Sequence, residues 1–208
     1  GKDIAVGVRQ SVNVPPDLYL YNLQNGFSVQ LTGLGANFLE LKLGEVEPIS
    51  WTNSYGAEAS GYLIRPIGYQ PGQRYPLVIM AKTWNNRFVC DGFGSGETTA
   101  FAPQPLASAG FVVLLANDPS LENQPTNFPG RMGEAYNWMD TMKSAAEMLV
   151  NRGLVDPQNI GIVGFSRTSW KTDFMLTHSD FKFAAASSAD GGLYNYGAYW
   201  THNMHGLQ

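Results

Sequence analysis

Ser166 lies where a predicted buried strand gives way to a predicted helix, within the stretch "GFSRT". A serine on a sharp strand-to-helix turn is held clear of the backbone, so its hydroxyl can act as a nucleophile. The backbone N–H of Arg167 follows directly, and the start of the helix adds positive potential where an oxyanion would form. A second interpretation makes Ser166 only a helix cap. The order of strand, turn and helix around it favours the nucleophile.

Thr168 breaks the usual form of such a turn, G-x-S-x-G, because it occupies the position of the second glycine. A threonine there adds a β-branched side chain and requires a slightly wider corner. Thr168 lies two residues after Ser166, and we expect its hydroxyl to reach either the turn or the substrate.

A catalytic base is harder to find in these 208 residues. His178 ends the predicted helix, where an imidazolium suits the helix dipole, and this favours a structural role. His202 and His205 resemble a metal-ligand pair, but no cysteine or carboxylate stands close by in the sequence, so we expect no metal and no cofactor. Chain order in hydrolases with this turn is serine, acid, histidine. We therefore expect the catalytic acid and histidine beyond residue 208.

Two further features have ordinary interpretations. Cys90 is the single cysteine, so it forms no disulfide within the chain and is interpreted as an ordinary thiol. The stretch "GFGSGE" resembles a dinucleotide-binding loop, but no strand leads into it and no helix follows, so we interpret it as a loop.

The composition indicates a packed globular protein, with 44% hydrophobic residues, 12% aromatic residues and a formal net charge of -4. An acidic chain without a basic block is a poor candidate for nucleic-acid binding. The longest apolar runs, "PLVIMA" and "FVVLLA", are too short to cross a bilayer, so we also expect no membrane partner.

The elements that must position Ser166 begin only after about residue 45. Residues 1–45 alternate as strands around tight turns, without a helical segment, and so few strands are marginal alone. From residue 46 on, buried apolar runs alternate with helical segments, and this pattern predicts an α/β fold with a parallel sheet. One such helix carries Met139, Met142, Ala146 and Leu149 on one stripe.

The order of these segments resembles the prolyl oligopeptidase family of serine peptidases. The resemblance is carried by "PPDLYLYNL", "ASGYLIRPIGYQPGQRYPLVI", "PLASAGFVVLLAND" and "GLVDPQNIGIVGFS". Members of this family combine a β-propeller with an α/β-hydrolase domain. The resemblance therefore implies that residues 1–45 are the end of a propeller. Residues 46–208 would be the first part of a hydrolase domain whose sheet is incomplete at its C-terminal end.

Two departures from the family pattern point to a branch within it. The loop after "YPLVIM" reads "AKTWNNRF", without the family's oxyanion motif, so Lys82 or a backbone N–H near Thr83 would have to take that role. Together with Thr168, this resembles the lasso peptide isopeptidases, which open the amide between a peptide's N-terminal amine and an Asp or Glu side chain.

The sequence thus predicts a serine hydrolase that cleaves peptide amide bonds through an acyl-enzyme on Ser166. The alternatives are a non-catalytic hydrolase-like scaffold and an ester hydrolase. The expected partners are a peptide substrate and the remaining propeller and C-terminal segments of the same enzyme. The compartment, bacterial cytoplasm or periplasm, stays open.

Overall fold

The computed structural model describes residues 3–81, 88, 102–119, 133–189 and 191. Their elements, in chain order, are nine strands, one 3₁₀ helix (Ala36–Glu40) and three α-helices. The strands are β1 (Ile4–Ser11), β2 (Val14–Asn22), β3 (Ser28–Gln30), β4 (Val46–Thr52), β5 (Glu58–Ile64), β6 (Tyr75–Ala81), β7 (Val112–Ala116), β8 (Val155–Phe165) and β9 (Ala185–Ala189). The helices are α1 (Pro103–Ser108), α2 (Gly133–Asn151) and α3 (Arg167–His178).

The first three strands form an antiparallel sheet in the order β1-β2-β3. Gly26, at φ 72°, supplies the left-handed turn between β2 and β3. One face of this sheet is apolar and open: Ile4, Val6 and Val8 are 54%, 60% and 59% exposed. The strand prediction for this region is confirmed, but the expected absence of helix is wrong, because the 3₁₀ helix follows β3.

The remaining six strands form one mixed sheet in the order β4-β5-β7-β6-β8-β9. The predicted α/β fold is confirmed, and the prediction of a parallel sheet needs correction. β6, β7, β8 and β9 are parallel, whereas β4 and β5 run antiparallel at one edge. The chain joins β4 to β5 by a short turn at Gly56, and a short connection can only reverse direction.

Helices cover both faces of this sheet, and β7 shows why its sequence is continuously apolar. All five residues of β7 are fully buried. Val113 and Leu115 pack in the cluster that includes Ala107 of α1. Val112 and Leu114 pack on the other face, in the cluster that includes Trp138 of α2. Each such side chain contributes roughly 1.5–3 kcal/mol through burial.

The predicted stripe on α2 is also the buried face of that helix. Met142, Ala146 and Leu149 are fully buried, and Met139 packs against them with partial exposure. None of the helices in the described ranges is both long and apolar enough to cross a membrane.

The sheet order creates a switch point beside β6. The chain leaves β6 through α1 to reach β7 on one side, then returns through α2 to β8 on the other side. In such sheets the crevice at the carboxyl ends of the two diverging strands is the place where ligands bind. Ala81, the last residue of β6, pairs with Gly164 of β8, two residues before Ser166.

Candidate active site

Ser166 connects β8 to α3 in a strained conformation. Its φ is 55° and its ψ is −126°, and no other non-glycine among the described residues has a positive φ. Such a conformation costs of order 1–3 kcal/mol and persists only where its surroundings fix it. The Ser166 N–H donates to the Ala189 carbonyl at 3.0 Å, and the Ser166 carbonyl accepts from the Ser169 N–H at 3.0 Å. The hydrogen bonds to Ala189 and from Ser169 therefore fix this turn.

The side chain of Ser166 is exposed and makes no capping hydrogen bond to α3. The cap interpretation requires that bond, so it does not explain the residue. Arg167 is the first residue of α3, and its N–H therefore belongs to the amino end of the helix rather than to its internal ladder.

Gly164, the first glycine of the motif, lies where α3 packs tightly against β8. A Cβ at this position would lie 2.7 Å from the Thr168 carbonyl oxygen and 2.9 Å from the Ser169 Cα, and closer still to the Thr172 hydroxyl. Real Cβ atoms do not approach backbone so closely. The glycine is therefore needed for the sharp return of the helix over the strand.

Thr168 uses its hydroxyl within the turn. The Phe165 N–H donates to Thr168 Oγ1 at 2.9 Å, and the same hydroxyl donates back to the Phe165 carbonyl at 2.8 Å. The residue is only 5% exposed. Of the two expected destinations for this hydroxyl, the structure places it at the turn, where it holds the residue immediately before Ser166.

Four charged side chains that the sequence analysis did not single out as a group lie beside the elbow. The Arg167 Nη2 contacts both carboxylate oxygens of Glu134, at 2.7 and 2.6 Å. The Lys171 Nζ lies 3.0 Å from Glu134 Oε1 and 2.9 Å from Asp118 Oδ2. The Lys171 side chain is 3% exposed, whereas that of Arg167 is 61% exposed. We call these four residues the charged cluster.

The charged cluster keeps the Glu134 carboxylate ionised. Burial by itself would raise the pKa of Glu134, but hydrogen bonds from Arg167 and Lys171, together with their positive charges, outweigh it and lower the pKa below its ordinary value.

Several sequence candidates lie outside the described residues: Lys82, Thr83, Cys90, the "GFGSGE" loop, His202 and His205. His178 is described, and it ends α3 about 16 Å along the helix from Arg167. There its ring stacks on Phe174, with centroids 4.1 Å apart. The structure does not bring His178 to Ser166.

The chain is similar in sequence to known peptidases. It is 30% identical over 189 residues to the lasso peptide isopeptidase AtxE2 of Asticcacaulis excentricus, covering 86% of this chain and 26% of that protein. It is 23% identical over 200 residues to dipeptidyl-peptidase 5 of Porphyromonas endodontalis, covering 91% of this chain and 27% of that protein. The chain therefore spans about a quarter of the length of these relatives. No protein-family model matches it.

Solved structures give the same picture. The ligand-free AtxE2 isopeptidase superposes with a TM-score of 0.75 at 28% identity, covering 88% of this chain and 29% of that one. A variant of it with an astexin peptide bound gives 0.74 at 29% identity, with the same coverage. The acylaminoacyl peptidase of Pyrococcus horikoshii shares the fold, with a TM-score of 0.66 at 20% identity over 92% of this chain and 30% of that one.

The mixed sheet with a serine elbow after β8 is that of an α/β-hydrolase. Within this class, its homologues and structural neighbours are members of the prolyl oligopeptidase family, the family that its sequence pattern resembles.

Proposed function

We propose that the protein containing this chain is a serine hydrolase that cleaves amide bonds of peptides, with Ser166 as its nucleophile. The observation that carries the proposal is the exposed serine in a strained turn at the carboxyl end of β8, supported by glycine at Gly164 and by the hydroxyl of Thr168. An elbow of this kind presents a hydroxyl to a carbonyl carbon and places a backbone N–H beside the oxygen that becomes negative.

The proposed reaction has two halves. Ser166 Oγ attacks the carbonyl carbon while its proton passes to a histidine, which then protonates the leaving amine; the C–N bond breaks and an ester to Ser166 remains. Water adds to this ester with the same histidine as base and releases the acid. We place this histidine and the carboxylate that orients it downstream of residue 208, as the sequence order of the family implies.

Two donors hold the oxyanion in this proposal. One is the N–H of Arg167. The other belongs to Lys82 or Thr83, which directly follow Ala81 in the chain. Ala81 pairs with Gly164 and so ends β6 beside the elbow. Loss of one such donor costs roughly 3 kcal/mol of transition-state stabilisation.

For the substrate, we propose a lasso peptide, whose isopeptide bond joins the N-terminal amine to an Asp or Glu side chain. The support is the 30% identity to an isopeptidase over most of this chain, together with the threonine in the elbow. The net charge of -4 argues for a peptide rather than a nucleic acid as the ligand.

For the sheet β1-β2-β3, we propose that it is the end of a propeller, with the hydrolase domain starting near β4. The support is its open apolar face at Ile4, Val6 and Val8, which a neighbouring blade would cover. A propeller in front of the elbow would restrict entry to narrow substrates.

The test is to incubate the full-length protein with a lasso peptide and follow the peptide mass and its digestion pattern. We expect gain of one water and conversion to a linear peptide, and no conversion with Ser166→Ala. Cleavage of activated esters but not of peptides would favour an ester hydrolase. Binding without any turnover would favour the non-catalytic scaffold.

A further inference from the structure

The charged cluster connects three elements near Ser166: the start of α2, the start of α3 and the segment that follows β7. Glu134 is in the first turn of α2, Arg167 and Lys171 are in the first two turns of α3, and Asp118 follows β7 by two residues. The Lys171 ammonium bridges the two carboxylates, and Glu134 accepts from both cations.

Because Lys171 is buried, its ion pairs restrain the elements they join more strongly than ion pairs on the surface would. An ammonium that is 3% exposed must keep its anionic partners, because an unpaired charge in the interior is strongly unfavourable. Lys171 therefore holds Glu134 and Asp118 in place. The two contacts from Arg167 to Glu134, at 2.6 and 2.7 Å, then fix the first residue of α3 against a partner that cannot move freely.

We propose that Glu134 is a positioning residue for the oxyanion site: through Arg167 and Lys171, it fixes the first turn of α3 and with it the direction of the Arg167 N–H. This inference rests on the proposed function of Ser166. Among the described residues, the polar contacts of Glu134 are with Arg167 and Lys171 and not with Ser166. It acts on the transition state only through the backbone of Arg167, so its loss affects kcat and leaves ground-state binding nearly intact.

A purely electrostatic role predicts the opposite sign. Glu134 is an anion near the place where an oxyanion would form, so removing its charge leaves an additional positive charge on Arg167 or Lys171. By Coulomb's law alone, that change favours the oxyanion and accelerates the reaction. The positioning role predicts a slower reaction, because the donor is no longer held in line.

The experiment compares Glu134→Gln with Glu147→Gln in the full-length protein acting on a peptide substrate. Glu147 is on the same helix and pairs with Lys143 at 3.8 Å on the surface, so its substitution is matched in chemistry and charge. We expect Glu134→Gln to lower kcat by about 10- to 100-fold with KM within about twofold, and Glu147→Gln to change neither. Thermal unfolding of each variant shows that the measurements concern folded protein.

Arg167→Gln provides a second variant that is expected to fold, since this side chain is 61% exposed and the substitution keeps the backbone N–H. It should lower kcat in the same direction as Glu134→Gln. The double variant should be no slower than the slower single variant, because both changes break one connection.

An unchanged or raised kcat in both Glu134→Gln and Arg167→Gln overturns the positioning role, as does a loss carried by KM or an equal loss in Glu147→Gln. In those cases the wild type still hydrolyses peptide and Ser166→Ala does not, so the proposed function stands. A wild-type protein that hydrolyses no peptide overturns both proposals.

Discussion

At the scale of single residues, Thr168 occupies the position of the second glycine of the elbow motif and stabilises the turn with its hydroxyl. It accepts from the N–H of Phe165 and donates to the carbonyl of the same residue. A strained Ser166 then follows a residue whose two backbone polar groups are both held by one side chain. This arrangement explains how a β-branched residue is accepted at a position that the common motif gives to glycine.

We predict that Thr168→Val destabilises the protein by about 1–3 kcal/mol, because the shape of the side chain is kept but both of its hydrogen bonds to the Phe165 backbone are lost. Thr168→Ser keeps the hydroxyl and should lose much less. The measurement is the free energy of unfolding in denaturant, together with the rate at which a fluorophosphonate reacts with Ser166. Equal values for the two variants would show that the hydroxyl does not hold the elbow.

At the scale of elements, α3 packs closely on β8 at Gly164, where a Cβ would meet the backbone of α3. Sequence patterns predicted both elements, since β8 contains a buried apolar run and α3 begins with a polar, helical stretch. They did not predict β4, because Pro48 interrupts the strand pattern; the proline is accepted there because β4 is an edge strand. They also did not give the direction of β5, because the prediction of a parallel sheet rested on the buried runs after β5 and not on β5 itself.

Gly164→Ala should destabilise the protein by about 1–3 kcal/mol, because the new methyl group meets the Thr168 carbonyl and the Ser169 Cα. Gly161→Ala is the matched control on the same strand. Its Cβ would lie 3.4 Å from the Ala185 carbonyl oxygen, an ordinary contact, so that variant should be neutral or slightly more stable. The measurement is the thermal unfolding of both variants. A loss of stability of the same size in both would show that the effect belongs to the strand and not to the elbow.

In the first sheet, hydrogen bonds to the Asp17 carboxylate join β2 to the segment after β3. The hydrogen bond from Thr32 is the main reason that the pKa of Asp17 is lowered; donors from Leu18, at 2.9 Å, and Gln30, at 2.7 Å, add to it and outweigh desolvation. A carboxyl with a lowered folded-state pKa stabilises the protein above its unfolded pKa. That contribution is lost as the pH falls through the folded value.

Asp17→Asn should therefore lower the melting temperature at neutral pH, and the difference from the wild type should shrink below about pH 4. The measurement is the melting temperature of both proteins between about pH 7 and pH 3.5. The exposed Asp180 provides the control substitution to Asn, for which we expect little change. A difference between wild type and Asp17→Asn that is the same at every pH would contradict this explanation.

At the scale of the whole molecule, the charged cluster is the feature that one sequence could not reveal. Asp118 and Lys171 are 53 residues apart, and Glu134 and Arg167 are 33 apart, so only the folded sheet brings them together. The strand, turn and helix around Ser166 could be predicted because they follow one another directly in the chain, and the role of Ser166 as nucleophile stays a prediction. The base, the acid and the second oxyanion donor have no such local signal in the described residues, and they stay predictions from family resemblance.

The central claim, that Ser166 is the nucleophile, is tested most directly by peptide mapping of the full-length protein after reaction with a fluorophosphonate. Ser179→Ala, a serine at the far end of α3 that hydrogen-bonds the Met175 carbonyl at 2.8 Å, is the matched control. We predict one adduct, on the peptide that contains Ser166, which is lost in Ser166→Ala and kept in Ser179→Ala. An adduct on another residue, or one that persists in Ser166→Ala, would contradict the account.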